Sequence, residues 1–305
     1  MVDAIDLFSG LGGWSAGAVM AGANVVWAAN HWPEAVEWHK ANHPKAIHVC
    51  QDLHQADWTK VPSHDLLLAS PCCQGHSKAR GKKSGNPQHD ASRSTAWAVV
   101  SALEFHQPKM AIIENVPEFM QWRLYPAWAQ AMESMGYQLS PHVIDCADLG
   151  VPQNRVRLFI ICTLSKNPLS LSIPRFEHVS ATSFIDMDHS KWTPINRKGR
   201  AQATLDRITA GRSAFGEEFV FSYYGNTKSG RSMTRPIGTI TTRDRWAVVK
   251  GDHMRMLTAN ENLAAMSFPS GTKRPSSHRL TVHLAGNAVP PMAAARVIEA
   301  LLRSA

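Results

Sequence analysis

The chain has no run of about eighteen apolar residues of the kind a bilayer-spanning helix needs. Its opening, MVDAIDLFSGLGG, has no positively charged segment followed by a long apolar stretch, so no secretory leader is indicated and a cytoplasmic location is expected. Cysteine is scarce: Cys50, Cys72, Cys73, Cys146 and Cys162 form an odd set without framework spacing, and the adjacent Cys72 and Cys73 are poorly placed to bridge each other. Reduced thiols are expected, and no metal ligands are assigned. There is no internal repeat or low-complexity tract, and no G-x-G-x-x-G: Gly10, Gly12 and Gly17 miss that spacing. Asn30 stands where a dinucleotide fold would carry a ribose-binding acid, which disfavours a dehydrogenase. Acid is also in deficit, with 24 Asp and Glu against 32 Lys and Arg and a net charge of +8. That balance favours a polyanionic partner without identifying one.

The 305 residues can bury a sizeable core as one large domain or two smaller ones. Over residues 1–165, the apolar runs AIDLF, ANVVWAA, HDLLLAS, KMAIIENV and VRLFIIC alternate with stretches suited to helices. This predicts an α/β fold with a mostly parallel, Rossmann-like sheet covered by helices on both faces. Pro33 suits the first turn of one of those helices. From 166 to 255 the chain is rich in Ser, Thr, Arg and aromatics, with no long helical period, and predicts a smaller, loop-rich, partly β domain. Fourteen Lys and Arg against seven Asp and Glu between 166 and 250 make it the expected docking surface. Residues 256–305 turn helical again and are expected to return to the first domain.

Four stretches carry chemistry. DLFSGLGG, Asp6 to Gly13, runs from a strand into a glycine turn and a helix, where bare backbone can approach a nucleotide-like ligand; a simple tight turn would read the same. SPCCQGHSKAR puts Cys72 and Cys73 beyond the end of a strand, where open α/β sheets hold ligands, with Lys78, Arg80, Lys82 and Lys83 available to favour a thiolate. Two small buried thiols are the alternative. In IIENVPEFM, Glu114 and Asn115 also follow a strand, and an acid beside a thiol suits covalent attack on an electron-poor ring. In VPQNRVRLFII, Arg155 and Arg157 alternate so as to share one face, able to hold a carbonyl or a carboxylate.

Taken in this order with RPIGTITT (235–242) and GNAVPP (286–291), these stretches closely resemble the DNA cytosine-5 methyltransferase family. The resemblance covers nearly the whole chain outside 166–230. It implies S-adenosylmethionine as cofactor and S-adenosylhomocysteine as product, with Phe8, Ser9, Gly10, Gly12, Gly13, Asn30, Asp52, Pro71, Asn287, Ala288 and Val289 around it. It implies a cytosine flipped out of double-stranded DNA, a cysteine attacking carbon 6, Glu114 protonating the ring, Arg157 on the cytosine carbonyl and Arg155 bracing Glu114 and the nucleophile loop. Asn115 and Gln153 resemble loop anchors.

The family reads Pro-Cys-Gln, whereas this chain reads Pro71, Cys72, Cys73, Gln74. Asp65 and Ser77 stand eight before and four after Cys73, the distances the family keeps, so Cys73 is the expected nucleophile. Asn30 departs from a family Glu and removes charge assistance to the ribose, leaving open weaker binding or a cofactor variant. Residues 75–95 resemble the family's mobile DNA loop, with Gln74, Ser77, Lys78, Arg80 and Arg93 as DNA contacts, joined by Arg243 further on. Arg197, Arg200, Arg207, Arg212, Arg231 and Arg245 are further possible readers. A monomer is expected, with a cognate restriction endonuclease linked only genetically. RNA methylation and a non-catalytic DNA-binding homologue are the competing readings.

Overall fold

In a computed structural model, residues 1–72, 87–165, 171–224 and 227–304 are described, with 87–94 as backbone only. Two compact units are present. The first comprises Met1–Asp145, Val156–Pro174 and Ala288–Ala305, the second Cys146–Arg155 and Arg175–Asn287.

The first unit is built on a seven-stranded sheet. Its strands are β1 (Asp3–Leu7), β2 (Asn24–Asn30), β3 (Ile47–Cys50), β4 (Leu66–Ala69), β5 (Met110–Asn115), β6 (Gln138–Asp145) and β7 (Val156–Thr163), in the order β3-β2-β1-β4-β5-β7-β6. The pairs from β3 through β5 are parallel, while β7 runs antiparallel to both β5 and β6. Every residue of LLLA in β4 and MAIIEN in β5 is buried, as central strands covered on both sides require. The five apolar runs of the sequence are β1, β2, β4, β5 and β7. The two strands the sequence does not announce, β3 and β6, are the sheet edges, where half-exposed patterns mix polar and apolar residues.

The helices of this unit are α1 (Gly13–Met20), α2 (Pro33–Asn42), α3 (Pro87–His106), α4 (Tyr125–Ser134) and, from the far end of the chain, α8 (Pro291–Ser304). Pro33 is the first residue of α2. Helix α8 packs against α1. A Cβ at Gly17 would collide with that of Ala294, so the helix pair approaches closely only because residue 17 has none.

The second unit holds a four-stranded antiparallel sheet, β8 (Thr193–Pro194), β9 (Glu218–Ser222), β10 (Trp246–Lys250) and β11 (His253–Met256), in the order β8-β11-β10-β9. Its core is Ile195, Ile208, Phe219, Phe221, Ala247, Val249 and Met254. Helices α5 (Gln202–Phe215), α6 (Ala259–Ala265) and α7 (His278–Asn287) complete it. The 14-residue α5 corrects the expectation that this segment has no long helix. Its buried stripe is Thr204, Ile208 and Gly211, helically spaced but only one-third apolar in side chain, so no hydrophobic period shows. Residues 256–287, assigned from sequence to the returning segment, fall in the second unit. Arg255 pairs with Glu261 there, and Gln153 donates to the Ala265 carbonyl, which ties α6 to that unit.

Candidate active site

The turn after β1 is set by left-handed backbone. Phe8, Gly10 and Gly12 have φ of 62°, 55° and 95°. The turn is closed by Gly12 N–H donating to the Ser9 carbonyl at 2.9 Å and tied to β2 by Ser9 N–H donating to the Ala29 carbonyl at 3.0 Å. A Cβ at Gly13 would collide with the Val289 carbonyl, whereas one at Gly10 would find only the Phe8 oxygen, 3.9 Å away. The turn is therefore packed on its α8 side and bare at Gly10. Phe8 is non-glycine at positive φ, a strained state of the kind that persists where surrounding structure enforces it.

Asn30 ends β2 and is buried; its Oδ1 accepts from Trp32 N–H at 3.0 Å, leaving its amide as a donor. Asp52 is exposed and caps the short turn Leu53–Gln55, accepting from His54 N–H at 3.0 Å. Ala288 and Val289 are buried, while Asn287 is exposed at the end of α7.

Beneath the glycine turn lies a buried cluster that the motif reading missed. Asp6 Oδ2 accepts from Ser15 Oγ at 2.7 Å and from Ser15 N–H at 3.2 Å, and lies 3.6 Å from His39 Nε2. His39 Nδ1 is 2.8 Å from His48 Nε2, and a Cβ at Gly12 would sit 2.6 Å from His43 Nε2. Burial, then the neighbouring His39, pushes His43 down to about 4. The signal available was HKANH, two histidines four apart, with His39 in α2 and His43 immediately after its end. Among the described residues, no group of three or more His, Cys, Asp or Glu is arranged to hold a metal.

The segment from Ser70 to Cys72 is fixed residue by residue. Ser70 Oγ accepts from Trp14 Nε1 at 2.8 Å, the Pro71 carbonyl accepts from Asn115 Nδ2 at 3.1 Å, and Cys72 N–H donates to Thr95 Oγ1 at 3.0 Å. Parallel pairing of β4 with β5 sets Ala69 beside Ile113, so the loop that begins at Ser70 leaves the sheet next to Glu114. Cys73, Gln74, Ser77, Lys78 and Arg80 lie outside the described residues, as does the side chain of Arg93. Cys50 is exposed, Cys72 is half-buried, and Cys146 and Cys162 are buried. Trp14, Ser70 and Thr95 were not singled out in the sequence, since a lone polar partner carries no spacing signal.

Glu114 is buried, and Arg157 Nε lies 3.0 Å from its Oε1. Antiparallel pairing of β5 with β7 accounts for this, since Glu114 faces Phe159 and Arg157 stands two residues further on the same face. A second bond, Arg157 Nη1 to the Val156 carbonyl at 2.8 Å, holds the guanidinium. Arg157, which the family resemblance places on the cytosine carbonyl, thus also pairs with Glu114. Within the second unit Arg155 is buried and donates to the Ile240 carbonyl at 2.9 Å and the Gly286 carbonyl at 3.0 Å. Gln153, fully buried, accepts from Ile240 N–H at 2.8 Å.

Several arginines considered as DNA readers are bound to their own unit. Arg207 donates to the Thr227 and Tyr224 carbonyls, Arg212 to the Gly251 carbonyl, and Arg200 to the Ile195 and Pro194 carbonyls. Arg245 donates to the Tyr223 carbonyl at 3.4 Å. Arg197 and Arg243 are exposed.

The fold is a Rossmann-like sheet that carries Glu114 and the Ser70–Cys72 segment at adjacent strand ends. The sequence profile of C-5 cytosine-specific DNA methylases matches residues 2–303, and the chain belongs to that family. The Type II methyltransferase M.HgiDI of Herpetosiphon aurantiacus is 32% identical over 161 residues, 52% of this chain and 50% of that protein. The chain thus spans half the length of that relative. The Type II methyltransferase M1.HphI of Haemophilus parahaemolyticus is 26% identical over 337 residues, 98% of this chain and 86% of that one. Among solved structures, a prophage-encoded candidate DNA modification methyltransferase of E. coli superposes with a TM-score of 0.75 at 19% identity, covering 100% of this chain and 99% of the other. No described helix is long and apolar enough to cross a membrane.

Proposed function

We propose that this protein transfers a methyl group from S-adenosylmethionine to carbon 5 of cytosine in double-stranded DNA, in a restriction-modification or phage setting. The observation that carries the reading is the buried Glu114–Arg157 pair beside the pinned Ser70-Pro71-Cys72 segment. It brings a proton-donating acid and the entry to a cysteine together at the ends of neighbouring strands.

The glycine turn fits the cofactor, being bare at Gly10 and backed at Gly13 by Val289, in the segment that leads into α8. Phe8, Ser9, Gly10, Gly12, Asn30 and Asp52 would hold it, with Asn30 offering an amide donor to a ribose hydroxyl and Asp52 an exposed carboxylate. S-adenosylmethionine, when bound, supplies an electrophilic methyl group on a sulfonium.

The protein's residues do the rest. The target base is flipped out, since its ring is unreachable inside the stack. The Cys73 thiolate bonds to carbon 6 while Glu114, having taken up a proton from solvent as the base binds, gives it to ring nitrogen 3, so electron density moves to carbon 5. After methylation, loss of the carbon 5 proton to a base expels Cys73 and restores the ring. Arg157 holds Glu114 in place and presents its remaining N–H groups toward the cytosine carbonyl.

Nucleosides from DNA of cells expressing wild type, Cys72→Ser and Cys73→Ser, measured by mass spectrometry, test this. 5-Methylcytosine lost only with Cys73→Ser supports it; loss only with Cys72→Ser moves the nucleophile, and none with folded wild type on several DNA sources rejects the activity.

A further inference from the structure

The polar cluster under the glycine turn is a costly way to pack a helix. Asp6, Ser15 and His39 are fully buried, and Asp6 Oδ1 has no hydrogen-bond partner among the described residues. Apolar side chains of the same volume would avoid that cost. What the cluster holds is shown by the direction of its protons. Ser15 has one hydroxyl proton and gives it to Asp6 Oδ2 at 2.7 Å. His39 Nε2, 3.0 Å from the same Ser15 oxygen, is therefore the donor of that second bond, and its Nδ1 faces His48 Nε2 at 2.8 Å.

His43 hydrogen-bonds the Gly12 backbone, and because that bond favours protonation of the ring, the imidazole donates and the Gly12 carbonyl accepts. The same carbonyl accepts Ala16 N–H at 2.8 Å, the first bond of α1. The His39 and His43 rings lie against each other with centroids 4.8 Å apart. Together they fill the space beside Gly12, where a Cβ would sit 2.6 Å from His43 Nε2 and 3.1 Å from His39 Cδ2. Both ends of the first turn of α1 are thus held from one side, Ser15 by Asp6 and His39, and Gly12 by His43. Neither ring comes within 4 Å of a Cβ placed on Gly10, so the bare face of the turn stays clear.

We infer that His39 and His43 are positioning residues for cofactor binding, holding the glycine turn in its binding shape through Ser15 and Gly12 from the side away from Gly10. The inference rests on the proposed use of this turn for S-adenosylmethionine. Gly10 and Gly12 both have left-handed backbone, and a seat that orders them before the ligand arrives lowers the cost of binding. Loss of the seat is therefore read in affinity and not in the chemical step.

The test uses the full chain. Calorimetry gives the dissociation constants of S-adenosylmethionine and S-adenosylhomocysteine, and methylation of duplex DNA at saturating cofactor gives kcat. His43→Ala removes a half-buried ring and should raise both dissociation constants about 3- to 10-fold, the size of one hydrogen bond. Its kcat should stay within about twofold of wild type. His43→Gln keeps an N–H for the Gly12 carbonyl and should recover most of the affinity. His39→Leu, which loses the donor to Ser15, should weaken both ligands as His43→Ala does, whereas His39→Gln should not; the His43 variants carry the test if His39→Leu does not fold. Lys45→Ala, an exposed cation two residues beyond His43, should leave both constants unchanged.

Unchanged affinity in His43→Ala overturns the inference. An equal loss in His43→Ala and His43→Gln assigns the ring to packing alone and overturns it too, as does a fall in kcat at saturating cofactor as large as the loss of affinity. A wild type that binds neither compound rejects the turn as a cofactor site, and the inference with it. A wild type that binds both but methylates no DNA rejects the proposed reaction alone, and the affinity pattern above then upholds the seat.

Discussion

Arg157 Nε and Glu114 Oε1 lie 3.0 Å apart on adjacent antiparallel strands, both side chains largely withdrawn from water. The pair matters because burying a lone carboxylate is costly, so each charge depends on the other. Glu114→Gln keeps the shape but cannot protonate the ring. Methyl transfer should fall by about 10²–10⁴-fold, the usual size of a general-acid contribution. DNA affinity by anisotropy should stay within a few-fold of wild type; loss of affinity equal to the loss of rate would argue against an acid role.

Asn115 links β5 to the cysteine loop through the Pro71 carbonyl. Asn115→Ala should cost about 1–3 kcal/mol of stability by urea unfolding, from two bonds left open, at the Pro71 carbonyl and at Val116 N–H. Its larger effect should be on turnover, since the segment before Cys73 loses a tether. Cys72→Ser leaves the backbone bond to Thr95 intact and should retain near-wild-type activity. A large loss there would mean that the Cys72 sulfur itself acts.

Gly13→Ala forces a Cβ into the Val289 carbonyl. Overpacking of this kind costs about 1–3 kcal/mol. Because the strain falls on the turn proposed to hold the cofactor, calorimetry should also show weakened S-adenosylmethionine binding. A variant with full affinity would show that α8 can shift without moving the turn.

His43, pushed from 6.5 down to about 4 by burial and by His39, stays neutral in the folded protein when the unfolded chain is protonated. Its folded pKa is below its unfolded one, so the unfolded state binds more protons between these values. Stability is therefore full above about pH 6.5 and is lost as pH falls toward 4, at up to about 1.4 kcal/mol per pH unit. His48, lowered first by burial and then by His39, acts in the same direction. Melting temperature measured from pH 7.5 to 4 should drop, and His43→Gln should flatten that drop; an unaltered pH dependence in the variant would assign the acid sensitivity elsewhere.

Much of this protein is legible in its residues. The five apolar runs became the buried strands because a central strand of a covered sheet must be apolar on both faces, which leaves a continuous signature. The glycine turn and the Glu114 strand end were readable for the same local reason: each depends on one short segment. The α5 helix was not, since its stripe of Thr204, Ile208 and Gly211 is set by the Phe219 ring packed against it and not by hydrophobic period.

What the sequence by itself determined is the set of chemical groups, their order along the chain and the strand ends that carry them. What only the tertiary structure decided is partnership: that Arg157 meets Glu114, that Asp6 meets His39, and that Arg200 and Arg274 share one cavity. The reason is that strand register, sheet order and helix docking bring together residues dozens of positions apart, and a single hydrogen bond across such a gap leaves no spacing in the chain from which to infer it.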